Sequence, residues 1–318
     1  EMYLNNTLNA LQNQTLQEIE IVCINDGSTD NSGTLLIEAA KQDSKIIVVN
    51  QVNKGAYHAR MSGIKVATGN YIAFCDADDK PDKTIYERLF QLAEKTQSDL
   101  AVCSYKRVNQ DGIAKNEMTT FGCKVIDSSH DKGWMTAINT ALWNKLFKRS
   151  VLQKCKVPQT PPRIMEDAYL LYSIMGKINR VAFTDEALYE YKVHDGSQMS
   201  RIDSSEISNL FDSWQELRNN CCDEYLIDLG AFIHLGISMN LLLVKNGYKQ
   251  EAKSALDRIV IDFSTISESP YLSSCYIKKH PELAKVKFIR AVNKLNLLIP
   301  AMSLYSKIEK HIGLAVKW

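Results

Sequence analysis

With 318 residues, 45% of them hydrophobic, the chain is long enough to bury one large core or two ordinary ones, and its composition excludes a disordered polypeptide. A formal net charge of +1 argues against nucleic acid as a partner of the whole chain, while allowing a locally basic patch. The cysteines at 23, 75, 103, 123, 155, 221, 222 and 275 show no C-x-x-C pair and no metal-ligand spacing; several fall in apolar runs, so they read as reduced, buried thiols of a cytoplasmic protein.

In chain order, Leu4, Leu8 and Leu11 stand at helical spacing and residues 19–24 form a strand-like run. A helix as first element is unusual for a parallel sheet, so we expect a strand upstream. Asn25-Asp26-Gly27-Ser28-Thr29-Asp30 supplies turn and cap residues, and Leu35, Leu36, Ala39 and Ala40 mark the buried face of a helix. Residues 46–49 make the next strand, Asn53-Lys54-Gly55 leads through Ala59-Arg60 into a helix passing Ile64 and Ala67, and residues 71–75 make a third strand. This alternation predicts an α/β, doubly wound, mostly parallel sheet whose right-handed crossovers gather the loops after the strands on one edge.

Asp76, Asp78 and Asp79 follow the third strand, at the end where open α/β sheets bind ligands. Crowded carboxylates repel one another unless a cation compensates them, and hard oxygen ligands suit Mg²⁺ or Mn²⁺. The plainer alternative is that they cap a helix starting near Pro81.

Residues 81–95 read as an amphipathic helix, 100–103 as a strand, Asp111-Gly112 as a turn and 135–142 as a helix leading into Trp143-Asn144-Lys145-Leu146-Phe147. A proline-rich loop over 158–162 precedes Glu166-Asp167, which opens an apolar helix; two acids there also suit the exposed N–H groups of any helix start. Residues 188–193 alternate like a strand and end at His194-Asp195-Gly196-Ser197, where a histidine is structural or, beside a carboxylate-held metal, a ligand.

Beyond Ser204 the pattern turns to long helices, dividing the chain into residues 1–204 and a helical domain over 205–318. The apolar run 226–244 is interrupted by Asp228, His234 and Asn240 and reads as a buried helix rather than a membrane span. The tail from Lys278 is basic, with Phe288, Ile289, Val292, Leu295, Leu298 and Ile299 between its lysines, as expected of a helix on an anionic membrane surface, of a helix packed on its own domain, or of a homodimer contact.

Taken together, Gln14-Thr15, Asn25 to Asp30, Asn53-Lys54-Gly55 with Ala59-Arg60, Gly69 to Asp79, Trp143 to Phe147, Glu166-Asp167 and Tyr191 through Ser197 resemble, in order and spacing, the non-processive bacterial family 2 glycosyltransferases of the GT-A fold. The resemblance implies a Rossmann-like GT-A catalytic domain over 1–204, without the family's usual first strand, and a smaller helical domain after it. It implies inverting, metal-dependent transfer of a sugar from a nucleotide-diphosphate sugar, a UDP-sugar foremost, to a glycan, glycoprotein or lipid-linked acceptor in the cytoplasm, with Mn²⁺ or Mg²⁺ as cofactor. Residue by residue, Asp26 matches the acid that contacts the nucleotide base, with Gly27 and Ser28 shaping its loop, and Arg60 matches the arginine that approaches the nucleotide. Asn53, Ala77, Trp143 and Glu166 fall in the matched donor-binding motifs, Asp76 and Asp78 in the metal-binding D-x-D positions, His194 at a position near diphosphate or metal, and Asp167 at the catalytic base. The Q-x-x-R-W signature of processive synthases is absent after His194, which favours addition of single sugars. Competing expectations are a silent nucleotide-sugar-binding scaffold and a nucleotidyltransferase, though no Gly-rich basic phosphate loop precedes the acids. A dinucleotide oxidoreductase lacks its G-x-G-x-x-G.

Overall fold

A computed structural model of the chain describes residues 1–108, 114–117, 121–155, 158, 161–192 and 204–312, the backbone alone at 114–117, 204 and 308–312. As far as they are described, Glu1–Asp131, Asn139–Val157 and Pro161–Ser197 form one compact unit, and Lys132–Ile138, Pro158–Thr160 and Gln198–Trp318 another. The turn expected at Asp111-Gly112, His194 and the rest of the segment after Lys192, and most of the proline-rich loop lie outside the described residues.

The first unit opens with helix α1 (Leu4–Gln12), strand β1 (Ile21–Asp26), α2 (Ser32–Gln42), β2 (Ile46–Gln51), α3 (Ala56–Val66) and β3 (Tyr71–Ala73). It continues with β4 (Lys80–Pro81), α4 (Ile85–Thr96), β5 (Leu100–Val108), β6 (Ala114–Glu117), β7 (Lys124–Asp127), β8 (Lys145–Lys148), α5 (Arg149–Leu152), α6 (Glu166–Met175) and β9 (Arg180–Lys192). β1 and β2 pair in parallel, from Ile21 beside Ile46 to Asp26 beside Gln51. The larger sheet runs β3-β8-β5-β9-β4, with β6 added to β5 and β7 to β9. Among the described residues only its β5–β9 pair is parallel; the expected mostly parallel sheet is in this detail a mixed one. The cause is β8, which returns from the excursion after β5 and enters reversed between β3 and β5. Among the described residues, β1 and β3 each keep one unpaired edge.

Ile85, Leu89 and Ala93 stand on one face of α4 and are fully buried, together with Ala101 and Cys103 of β5 and Tyr189 of β9. Each large side chain so buried contributes about 2 kcal/mol. Helix α4 starts later than expected, because Asp82 Oδ1 accepts from Thr84 N (2.9 Å) and caps the turn, while Pro81 pairs with Tyr189 as strand. Asp76, Asp78 and Asp79 therefore do not cap this helix. The third strand ends at Ala73, two residues before its expected end, and the helix expected over 135–142 is a 3-10 turn, Gly133–Ala137, closed by Thr136 Oγ1 on Gly133 O (2.7 Å) before Ile138 turns extended. Three of the cysteines expected to be buried, Cys123, Cys222 and Cys275, are exposed, and all eight are free thiols.

The second unit holds α7 (Ser204–Asn219), α8 (Glu224–Ala231), a π-helical stretch Phe232–Met239, α9 (Asn240–Lys245), α10 (Lys249–Asp262), α11 (Ser274–Lys279), α12 (Ala284–Lys294) and α13 (Leu298–Ile312). Its core is built on Phe211, Trp214, Phe232 and Phe263, all but completely buried. Asp228 is buried as well; it accepts from Arg218 Nε (2.6 Å) and from the Thr265 amide and hydroxyl, so its charge is paired and hydrogen-bonded. The helix Glu224–Lys245 is long and apolar enough to cross a membrane, and most of it lies inside this unit. Gly133 lies against the Tyr271 ring, whose hydroxyl donates to Asp223. A Cβ at 133 would overlap that ring. Gly133→Ala should cost about 1–3 kcal/mol in urea unfolding, whereas Gly176→Ala, with open space around its Cβ, should be close to neutral.

Candidate active site

At the C-terminal ends of β1 and β2, the Asp26 carboxylate organises the loop that follows β2. It accepts from Gln51 Nε2 (2.7 Å), Lys54 N (2.9 Å) and Gly55 N (2.8 Å). Gly27 sits at φ +72°, and an added Cβ would lie 2.7 Å from Asn53 N, so only glycine lets the two loops close on each other. Asn25 Oδ1 accepts from Ser28 N (3.1 Å), and Asn53 is exposed at the surface of this cradle. Gln51 also accepts from Ser62 Oγ (2.6 Å), which ties the strand ends to α3.

Helix α3 carries Arg60, and Arg60 joins three acids from two distant parts of the chain. Its guanidinium lies 2.8 Å from Glu166, 2.9 Å from Asp167 and 3.5 Å from Asp76. Burial works against this charge, but Asp167, Glu166 and Asp76 more than offset it and hold the guanidinium firmly protonated. Glu166 and Asp167 form the first turn of α6, entered through Met165 at φ +54°, a left-handed conformation that few non-glycine residues adopt. Asp167 Oδ1 approaches Arg60 without the alignment of a hydrogen bond, so one of its buried oxygens has none.

The loop after β3 is pinned from below. Thr7 Oγ1 of α1 donates to Ala77 O (3.0 Å) and Asp79 O (2.8 Å), and Gln14 Nε2 donates to Asp82 O (2.9 Å). Thr15 N donates to Lys83 O (2.8 Å), which gives the matched Gln14-Thr15 pair a plain role: it clamps the segment between the acids and α4. The Tyr189 hydroxyl accepts from Asp76 N (3.3 Å), and Asp79 is 1% exposed, with one oxygen on Lys192 N (2.9 Å) and the other unpaired.

Burial, with repulsion from Asp78 and Glu166, raises Asp76 despite Arg60. Burial pushes Asp79 up to about 7, and Asp76 and Asp78 add to the rise. Burial likewise pushes Asp167 up to about 7 against the pull of Arg60 and Lys145. Lys145 of β8 is completely enclosed; its ammonium donates to Ala141 O (2.5 Å) and Asn144 Oδ1 (2.8 Å), and burial brings it down to about 7 while Cys103 and Asp167 oppose that fall. The site thus holds more buried acid than its own cations neutralise. A set of carboxylate oxygens left short of positive charge fits a hard divalent cation. Among the described residues, however, no three His, Cys, Asp or Glu side chains gather closely enough to hold a metal ion.

The structure accordingly brings together Arg60, Asp76, Glu166 and Asp167, with Asp78 near Asp76, and places Asp26, Gly27, Ser28 and Asn53 in the adjoining cradle. Trp143 is 6% exposed and packs on Tyr189 (4.5 Å, 11°) and Tyr191 (5.4 Å, 9°), a place in the core. Sequence reading placed Asp79 in the acid cluster without a role of its own and passed over Lys145, which sits in a matched motif; a lysine in a strand pattern gives no sign of full burial.

Strand-end acids, a helix-borne arginine and helix-start carboxylates thus meet on one α/β unit. Residues 1–155, just under half of the chain, match the model of glycosyl transferase family 2, and this part of the chain belongs to that family. EpsJ of Bacillus subtilis (strain 168), named as an uncharacterized glycosyltransferase, is 30% identical over 211 residues, 62% of this chain and 59% of that protein. The chain thus spans under two thirds of this relative's length. In fold, the chain is similar to S. aureus TarS in complex with UDP-GlcNAc, with a TM-score of 0.68 and 17% identity over 100% of this chain and 90% of that one. It is also similar to the mannosyltransferase PcManGT from Pyrobaculum calidifontis in complex with GDP-Man and Mn²⁺, with a TM-score of 0.52 and 11% identity over 99% and 84% of the chains.

Two outcomes follow from the electrostatics. Arg60→Met leaves Asp76, Glu166 and Asp167 without their shared cation and should cost roughly 3 kcal/mol of stability. The cost should be larger at pH 8 than at pH 5, because the Asp167 carboxyl, raised to about 7 when folded, contributes stability most below its unfolded value of 3.8 and loses that contribution as pH rises through 7; urea unfolding at the two pH values reads this out. Lys145→Met removes a charge that pulls Asp167 down, so the Asp167 carboxyl should stay protonated to higher pH than in the unaltered chain, read from the pH dependence of its infrared carbonyl band; a lysine without that pull would leave the band unmoved.

Proposed function

We propose that the chain transfers single sugars from a nucleotide-diphosphate sugar, a UDP-sugar foremost, to a hydroxyl of a glycan, glycoprotein or lipid-linked acceptor on the cytoplasmic side, with inversion at the anomeric carbon. The observation that carries this reading is the meeting of Asp76, Glu166 and Asp167 on Arg60, which draws the D-x-D acid and the base to one point. The UDP-GlcNAc held by TarS supports the donor class and the Mn²⁺ of PcManGT the cation.

In this reading the cradle of Asp26, Gly27, Ser28 and Asn53 takes the nucleotide, its loops already closed by the bonds to Asp26. Asp76 and Asp78, with His194, would hold Mn²⁺ or Mg²⁺, which supplies charge neutralisation for the departing diphosphate. The acceptor hydroxyl gives its proton to Asp167 as its oxygen bonds to the anomeric carbon. The bond from that carbon to the diphosphate oxygen breaks in the same displacement, its electron pair leaving with the nucleoside diphosphate. A single displacement inverts the carbon. Asp167, raised to about 7 by burial, is a stronger base than a solvated carboxylate.

Incubation with a panel of nucleotide sugars and Mn²⁺ should release nucleoside diphosphate from one donor, with release cut about 100-fold or more by Asp78→Ala or by chelator. Asp167→Asn should reduce transfer by about 10²–10⁴ while calorimetric nucleotide binding survives. Silence across the panel with no nucleotide binding would leave a non-catalytic scaffold as the better reading.

A further inference from the structure

The α12 helix of the second unit presents a stripe of apolar side chains to solvent. At 3.6 residues per turn, Ala284, Phe288, Ala291 and Leu295 fall within an arc of about 60°, opposite the side that buries Ile289. Phe288 is 69% exposed and Leu295 68%, with Leu297 at 52% and Leu304 at 61% in the turn and helix that follow. Lys285 lies on one flank of the stripe, and Lys287 and Lys294 on the other. Lys278, Lys279 and Lys307 are exposed nearby in sequence, while the acid Glu282 is half-buried beside His280 (3.2 Å).

We propose that this ridge is a docking surface for an anionic phospholipid membrane, with the chain lying on the bilayer through α12 and the start of α13. A helix that settles at a lipid interface needs an apolar ridge to enter the acyl boundary and long cationic side chains on both sides whose stems bury while their ammonium groups reach the headgroups. The flanking lysines meet that requirement, and their charge complements acidic lipid. A second copy of the chain is a poorer occupant: a two-fold contact along the stripe would set like-charged lysine flanks against each other. The inference is independent of the sugar chemistry.

Flotation with vesicles of phosphatidylglycerol and phosphatidylcholine in equal parts tests it, beside vesicles of phosphatidylcholine alone. The chain should float with the anionic vesicles only, and less so as salt is raised. Phe288→Ser with Leu295→Ser, and separately Lys285→Glu with Lys294→Glu, should each lower the bound fraction at least about tenfold. Val260→Ser with Ile261→Ser, at exposed apolar positions of α10, should leave it unchanged. Circular dichroism and light scattering on every variant keep the comparison to folded protein. Absence of flotation, flotation indifferent to the α12 substitutions, or a dimer that those substitutions disperse would each overturn the proposal.

Discussion

The charge on Arg60 is what allows acids from distant parts of the chain to share a half-buried site. Two carboxylates about 4 Å apart repel by roughly 4 kcal/mol in surroundings of intermediate polarity, more than most folds spare for one contact. The guanidinium can meet several acids at once because its donors lie in a planar fork, which a lysine lacks. Its position is inherited from the strands: Asp26 holds Gln51, Gln51 holds Ser62, and Ser62 lies two residues from Arg60 on α3. The Asp26 cradle and the acidic centre are thereby tied together through these hydrogen bonds and the turn of α3 that carries both Ser62 and Arg60.

Much of the first unit was legible from periodicity. The alternation from Leu4 to Ala73 gives helix, strand, helix, strand, helix, strand as expected, because a strand between helices must be apolar on both faces and a helix on a sheet apolar on one. The mixed larger sheet was less legible. Nothing local in Lys145-Leu146-Phe147 says that β8 enters between β3 and β5 in reverse; strand direction is decided by the route of the chain, and residues between β5 and β8 carry few periodic signals. The 3-10 turn at Gly133–Ala137 belongs to the second unit for a similar reason: its small residue fits a ring contributed from the far end of the chain.

The candidate site was legible as types and spacings, with the energetics hidden. Asp76 and Asp78 could be singled out from their place at a strand end, whereas Glu166 and Asp167 suit any helix start and became candidates only through the resemblance. That Asp79 is enclosed with one oxygen unpaired, or that Lys145 is a fully buried cation, depends on what covers them, and cover is a tertiary property. Trp143 shows the reverse: a residue in a matched motif whose buried ring stacks on two tyrosines of β9 and meets Tyr105 of β5 edge-on.

Enclosure also sets how the centre can respond to charge. Asp79, Asp167 and Lys145 are all brought toward 7, the acids from below and the base from above, each by burial first. Groups so placed exchange protons at little cost, and the proton balance of the whole cluster then follows any charge that enters it. A divalent cation or a diphosphate arriving beside Asp76 changes that balance in opposite directions: the cation draws the carboxyls toward their ionised forms, the diphosphate toward their protonated ones. In the proposed mechanism the two arrive together and largely offset each other's pull on Asp167. In that mechanism, the excess of buried acid that costs the fold stability is what would let a carboxylate act as base beside a cation and a diphosphate.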